Sequence, residues 1–420
     1  MSIVYNILTH LSFLGIWLSQ WFSSKMKLFV NGRKQTFATL SSSIKITDKT
    51  IWFHCASLGE YEQGVPIMQA IKKEYPNYKL VVSFFSPSGY ENKKNDSLPD
   101  VIVYLPLDTK GNAKRFIKTV HPSMVFFVKY EFWPNYLFTL QKSNIPIYLL
   151  SGLFRPNQVF FKAYGGFMKD ALKTFNHYFL QNESSKDLLH KIGITNTSVS
   201  GDTRFDRVSN QIEQDNSISI IEEFKQDALC IVCGSTWKED EAVLLDTINN
   251  ASENVKFIVA PHKIEPSKIS AFRRKITQTS ILYSEVNTSE KTQTSSLSET
   301  NIFIIDTIGL LTKIYSYADI AYIGGAMGST GLHNILEAAT FGIPIVIGKH
   351  YDEFPEAKRL QSLAGLFSIA TKEECSEIIQ KLSNDASFRN KTGMIAGHFI
   401  NSNTGATNVV MNHIREHFKQ

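Results

Sequence analysis

The chain is 420 residues long, 43% hydrophobic and 20% charged, which excludes a disordered or fibrous protein and makes two globular domains the default. Its formal net charge of +5 is spread with no run of like charge and no basic stripe. That excludes the usual nucleic-acid binders and suits an anionic substrate or an anionic membrane surface equally well.

Residues 3–22 carry no charge and are dominated by Leu, Ile, Phe and Trp, about the length that spans a bilayer. Asn6, Thr9, His10, Ser12, Ser19 and Gln20 fall on one half of a helical wheel, which favours a helix lying in the membrane interface, with spanning as the alternative. Trp17, Trp21 and Phe22 then fall at headgroup level. Lys25, Lys27, Arg33 and Lys34 follow, so the remainder of the chain is expected on the cytoplasmic side. The absence of a basic start and of a small-residue pattern before the lysines argues against a cleaved signal peptide.

Apolar runs and helical patterns then alternate. IWFHCA and KLVVSFF read as strands around a helix over residues 66–75. VIVYLPLD is a third strand, a basic helix occupies Lys110–Val120, SMVFFVKYEFW is a fourth strand, and IPIYLLSG and HYFLQNE continue the series. This order predicts a parallel sheet covered by helices on both faces. The pattern loosens over residues 201–214, which sets a membrane-associated helix at 1–24 and two Rossmann-like domains at 25–208 and 209–420, the last helix being free to pack back on the first domain. The second alternation runs through ALCIVCGST, VKFIVAPHK and NIFIIDT. Residues 284–300 are polar and of low complexity, hence a mobile surface loop. Ile400, Val409, Val410, Met411 and Ile414 mark a final amphipathic helix. Two doubly wound domains place the ligand site at the carboxyl ends of both sheets, in a cleft between them.

The four cysteines, Cys55, Cys230, Cys233 and Cys375, are too scattered for a disulfide framework and fit a reducing compartment. Cys230 and Cys233 lie in a strand-like run, where residues three apart face opposite sides and cannot share an ion. Residues 319–348 read as a short strand, a turn with Gly324, Gly325, Gly328 and Gly331, a helix from about residue 331, and a second buried strand. Glycines feeding a helix N-terminus suit a phosphate, and Asn334 and Glu337 share a face near the helix start, where a carboxylate suits ribose hydroxyls. An ordinary tight strand–helix connection with a solvated Glu337 is the competing reading.

Glu60 closes Ser57-Leu58-Gly59-Glu60, which is either a capping box or, if Gly64 and Pro66 delay the helix, a loop carboxylate able to act as a general base. Lys129 and Glu131 sit at the end of a buried strand, where charge is costly unless paired or functional, and a pairing across one strand face is the structural alternative. Arg204 lies in GDTRFD, poised for a carboxylate or phosphate or for a salt bridge with Asp202 or Asp206. Pro261, His262 and Lys263 follow another strand. No Asp-x-Asp metal–diphosphate motif occurs.

Taken together, HCASLGE, FFSPSGYE, YLPLD, YEFWPN, GDTRFD, the GST of CGSTWKEDE, DTIG and YIGGAMGSTGLHNILEAA, with the apolar start, resemble the 3-deoxy-D-manno-octulosonic acid (Kdo) transferases over essentially the whole chain. The FFSPSGYE, KYEFW and GDTRFD versions resemble the Bacteroidetes branch. The resemblance implies the GT-B glycosyltransferase fold and transfer of Kdo from CMP-Kdo to a lipid A precursor at the cytoplasmic face of the inner membrane, without metal or other cofactor. It makes Glu60 the catalytic base, puts Arg204 where the family usually has a lysine assisting the transition state, and leaves Glu131 and Lys129 as further catalytic candidates. CMP is assigned to Pro261 and His262, to Ile308, Gly309 and Leu310, and to Asn334, Ile335, Leu336 and Glu337. The departures are Lys129 for a more common glutamate, Pro261-His262-Lys263 for Pro-Arg-His, and Gly331-Leu332-His333-Asn334 for Gly-Gly-His-Asn. Acceptor selection is expected in residues 86–95 and 154–164. Another GT-B transferase or epimerase acting on a different nucleotide sugar, and an inactive membrane-bound binding protein, are the competing functions.

Overall fold

The structure is a computed structural model that describes residues 2–288 and 297–418. It separates into two compact units, Met1–Arg207 with Thr404–Gln420, and Val208–Asn403. The first contains β1 (Lys49–Cys55), β2 (Tyr78–Phe84), β3 (Val101–Tyr104), β4 (Pro122–Val128), β5 (Ile147–Gly152), β6 (His177–Leu180) and β7 (Thr197–Val199), in the order β3-β2-β1-β4-β5-β6-β7. The second contains β8 (Leu229–Thr236), β9 (Val255–Pro261), β10 (Ser280–Leu282), β11 (Ile302–Ile304), β12 (Ile320–Ile323), β13 (Ile345–Ile347) and β14 (Leu366–Ser368), in the order β10-β11-β9-β8-β12-β13-β14. The strands pair in parallel, as the alternation with helices predicts. Strand order reverses between β1 and β4 and between β8 and β12, and such switch points are where doubly wound sheets receive ligands.

Central strands are apolar on both faces because both are covered. Alternate residues of β1 and β4 feed two core layers: Trp52, Val125 and Phe127 on one side, Ile51, Phe53, Phe126 and Val128 on the other. The final helix, Ala406–His417, adds Val410, Met411 and Ile414 to the second of these layers and so belongs to the first unit. Ile400 lies on the preceding helix, Ala386–Asn401, not on the last one.

The N-terminal segment forms two helices, α1 (Ser2–Ser19) and α2 (Ser24–Ser43), the second capped by Ser23. The start of α1 docks on the protein: Tyr5 donates to Asp108 at 2.7 Å and Asn135 donates to Asn6 at 3.1 Å, while His10 and Ser12 of the polar half stay exposed. The apolar half faces outward, with Ile3, Ile7, Leu11 and Leu14 exposed. Among the described residues no helix is long and apolar enough to cross a membrane.

Three element boundaries differ from expectation. The helix after β1, α3 (Leu58–Glu74), starts eight residues before Pro66, which sits inside it; the capping box of Ser57 and Glu60 outweighs the proline signal. No helix begins at Gly331. The chain stays irregular until a single turn at Leu336–Ala339, because Gly325 and Gly331 take positive φ (97° and 91°) and bend it away from helical geometry. Part of the expected surface loop is helical, at Tyr283–Thr288, and residues 289–296 of it lie outside the described residues.

Candidate functional site

The carboxyl edge of the first sheet gathers the acidic candidates. Glu60 is half-buried at the start of α3. Its Oε2 accepts from the Ser57 backbone N–H at 3.0 Å and from the Ser57 hydroxyl, while Oε1 has no partner among the described residues. A carboxylate held by one oxygen with the other open is oriented to take a proton. Burial pushes the Cys55 thiol up, with Glu60, Glu131 and Glu62 adding to the effect, so these carboxylates surround one buried strand end. Tyr130 is likewise raised by burial first, and feels Glu60 and Asp202 against Arg155 and Arg204.

Glu131 does not pair with Lys129. β4 ends at Val128 and Lys129 takes φ of 69°, so the strand alternation that would align the two is broken. The Lys129 ammonium lies 5.2 Å from the centre of the Tyr130 ring instead. Glu131 Oε2 stands 3.1 Å from His54 Nε2 and accepts from Trp133 Nε1 at 2.8 Å. Behind it, His54 Nδ1 lies 2.9 Å from Ser83 Oγ, which accepts from Trp52 Nε1 at 2.8 Å. Trp133 Nε1 also lies 3.0 Å from His54 Nε2, and His54 Nδ1 lies 3.1 Å from the Ser83 carbonyl. With the proton on Nε2 the hydrogen-bond chain runs Trp52 N–H to Ser83, Ser83 O–H to His54 Nδ1, and His54 Nε2–H to Glu131. With it on Nδ1 the ring donates to Ser83 O and accepts from Trp133. His54, Ser83 and Trp133 were invisible as site residues in the sequence. Their only signal was polar or indole groups inside apolar strands and strand ends.

Arg204, on the helix Thr203–Ser209, is bound by Asp202, with Nε to Oδ2 at 2.9 Å and Nη2 to Oδ2 at 2.8 Å. Asp202 is held below the ordinary carboxylate range by Arg204 and by donors from the backbone and Gln63, against the desolvation that opposes it. Asp206 is used elsewhere, accepting from the Gly405 and Thr407 amides, each at 2.6 Å, before the final helix. Two aromatics of residues 154–164 are structural: Phe154 and Phe160 are buried and pack on Phe132, at 5.9 and 5.0 Å between ring centres, whereas Tyr164 is exposed.

The carboxyl edge of the second sheet is aromatic. Trp237 follows β8, His262 follows β9, and His333 follows the glycine turn after β12. Trp237 and His262 stack at 4.7 Å, His262 and His333 at 4.3 Å, and Trp237 Nε1 donates to His333 Nε2 at 3.0 Å. Burial first, then His262, lowers His333 to about 4. His262 is lowered by desolvation against the stack, then by Lys263. A cavity of about 600 Å³ opens beside Trp237, Pro261 and Lys263, with Lys268 and Lys275 on its wall.

Buried Asp240 ties this edge together, accepting from Trp237 N at 2.9 Å, Tyr322 Oη at 2.9 Å and Gly325 N at 2.8 Å; burial raises its pKa despite them. The Gly325 amide is therefore occupied, and the Gly324 amide donates to Gly234 O at 2.9 Å. Both are removed from the set expected to meet phosphate. The need for glycine at 325 is local: a Cβ there would stand 2.1 Å from the Gly331 carbonyl oxygen.

Asn334 accepts from Leu336 N at 3.1 Å and donates to Glu337 at 3.2 Å, and Thr312 donates to the other Glu337 oxygen at 3.2 Å. The side chains of Ile335 and Leu336 are fully buried, so these two offer a ligand only backbone. Leu332 is buried as well. Ile308 is 87% exposed, Gly309 has φ of 97°, and Leu310 leads into the turn Leu311–Ile314. All four cysteines are buried and free, and no group of His, Cys, Asp or Glu among the described residues is arranged to hold a metal ion.

Two doubly wound parallel units with polar groups at their switch points constitute the GT-B glycosyltransferase fold. Among solved structures, the UDP-GlcNAc 2-epimerase from Neisseria meningitidis matches with a TM-score of 0.62 at 13% identity, covering 87% of this chain and 100% of that one, which speaks for the fold alone. Residues 31–207 match the family model described as 3-deoxy-D-manno-octulosonic-acid transferase (kdotransferase). The 3-deoxy-D-manno-octulosonic acid transferase of Chlamydophila psittaci is 26% identical over 80% of this chain and 79% of its own. A bifunctional glycosyltransferase/methyltransferase of Fusobacterium nucleatum is 26% identical over 94% of this chain, which spans 62% of that relative. Over residues 31–207 the chain is thus similar to the Kdo transferases, a family of glycosyltransferase enzymes, and the likeness to single members runs over most of its length.

Proposed function

We propose that this enzyme transfers Kdo from CMP-Kdo to a hydroxyl of a lipid A precursor, at the cytoplasmic face of the inner membrane, in lipopolysaccharide synthesis. The observation that carries the chemistry is Glu60, fixed through Oε2 by Ser57 and open at Oε1. In this reading Glu60 takes the proton of the acceptor hydroxyl. The acceptor oxygen forms a bond to the anomeric carbon of Kdo as the bond to the CMP phosphate oxygen breaks, and CMP leaves with the electron pair. Arg204 exchanges its bond with Asp202 for developing negative charge, while Glu131, oriented by His54 and Trp133, positions the acceptor.

The second unit holds CMP, and a single phosphate needs no metal when cations and amides surround it. His262 and Lys263 stand where an arginine and a histidine, in that order, are usual, and the Trp237–His262–His333 cluster offers flat faces to a pyrimidine. The outward apolar face of α1 and the cations after it support attachment to an anionic membrane surface. Labelled CMP-Kdo incubated with a lipid A precursor tests the reaction: label in the lipid is expected, and none would sink the reading in favour of another nucleotide-sugar enzyme. Mass spectrometry of the product gives the number of Kdo units.

A further inference from the structure

We propose that the groove between α1, α2 and the loop after β3 receives one acyl chain of the acceptor lipid, with Arg33 meeting a phosphate at its mouth. The inference rests on the proposed reaction and adds to it a place for the acceptor's lipid portion. The groove has a volume of about 470 Å³ and is walled by Phe13, Ile16, Trp17, Phe29, Phe37 and Leu107, within the range of small-molecule sites.

Its basic side chains are His10, Arg33 and Lys34. Arg33 is unusual. Its guanidinium donates to three carbonyls, Phe29 O and Leu105 O at 2.9 Å and Phe85 O at 2.6 Å, and lies 3.5 Å over the Phe29 ring. No ion pair among the described residues includes it, and desolvation lowers it to about 9. A half-buried cation with carbonyls but no counter-ion is a site that an anion stabilises. The position is enforced by Gly32, where a Cβ would stand 2.1 Å from the Tyr104 ring, so α2 lies directly on β3.

Two features name the occupant. The groove continues the exposed apolar face of α1, formed by Leu11, Leu14 and Leu18, so a chain drawn from a bilayer enters without crossing water. Phe85, whose carbonyl Arg33 holds, packs on Trp133 at 4.7 Å, and Trp133 holds Glu131. Groove and carboxylates are thus joined through two side chains on one sheet edge, which fits a molecule whose sugar reacts there and whose acyl chain is stored here, rather than a lipid of the surrounding bilayer.

The test uses the full chain in phosphatidylcholine vesicles and a phosphorylated, acylated glucosamine disaccharide with a diazirine in one acyl chain. Light is expected to label Phe13, Trp17 or Phe37, with protection by unlabelled disaccharide and not by phosphatidylglycerol. Label confined to Ile3, Ile7 and Leu14, or equal protection by phosphatidylglycerol, overturns the assignment. Phe13 is half-exposed, so Phe13→Asp retains the fold. It is expected to lower the kcat/KM ratio of acylated over deacylated acceptor roughly tenfold, and equal loss on both acceptors overturns the groove. Kdo transfer with no groove label removes the groove alone, whereas groove label with no transfer to either acceptor counts against the reaction.

Discussion

The two sheet edges have the same topology and opposite chemistry. At the end of β1 and β4 the ionisable groups are carboxylates, each held by donors from its own neighbourhood: Glu60 by Ser57, Glu131 by His54 and Trp133. At the end of β8, β9 and β12 they include histidines lowered by desolvation first, His333 then by His262 and His262 then by Lys263, with Asp240 buried behind them. The switch point supplies position in both cases. What sits one layer behind it decides whether the edge offers a base or a neutral aromatic surface.

Removing the base breaks the comparison most severely. Glu60→Gln is expected to lower turnover by about three orders of magnitude while CMP-Kdo still binds; near-normal initial rates of Kdo incorporation would exclude Glu60 as base. Glu131→Ala removes the carboxylate facing His54 Nε2 and Trp133 Nε1, leaving these two only their 3.0 Å contact with each other. It is expected to destabilise the first unit by about 1–3 kcal/mol, read from urea unfolding, and an unchanged midpoint would mean the two donors find other partners.

On the second edge, Trp237→Ala is expected to raise the donor KM roughly tenfold with a smaller change in kcat. Trp237→Phe should recover most of that if stacking rather than the bond to His333 is what matters; equal losses in the two variants would reverse the order. The smallest effect is pH dependence. His333 titrates near 6.5 when unfolded and at about 4 when folded, so between those values the unfolded chain binds more protons. Stability contributed here is full above 6.5 and falls as pH drops toward 4. Thermal melts across that window should show a shallower slope for His333→Phe, and an identical slope would exclude His333 as its source.

Much of this was legible in the sequence, for physical reasons that also mark where legibility stopped. Parallel strands buried on both faces announce themselves as apolar runs, and Lys110–Val120 was read to the residue. Glu60 stood out as a candidate because a carboxylate after a strand is conspicuous, but Pro66 misled the start of α3, since a proline in a first turn and one inside a longer helix look alike. The chain from Gly331 was mistaken for a helix start because glycines report permitted conformations and not the ones adopted. Trp237 and His54 were missed because their roles depend on partners 96 and 77 residues away, a separation that no local pattern encodes. Phe154 and Phe160 lie in a stretch expected to select the acceptor, yet both are interior packing.

The final helix has a consequence for how the molecule is made. Val410, Met411 and Ile414 complete a core layer that begins with Ile51, so the first unit to be synthesised is the last to be finished. The ribosome must deliver all of Val208–Asn403 before Thr404–Gln420 can close the first sheet, and the second unit has the chance to fold while the first still exposes Tyr75, Tyr78 and Tyr148. A chain cut before Thr404 would therefore yield a sound second unit attached to an unfinished first unit, a product for proteases to clear.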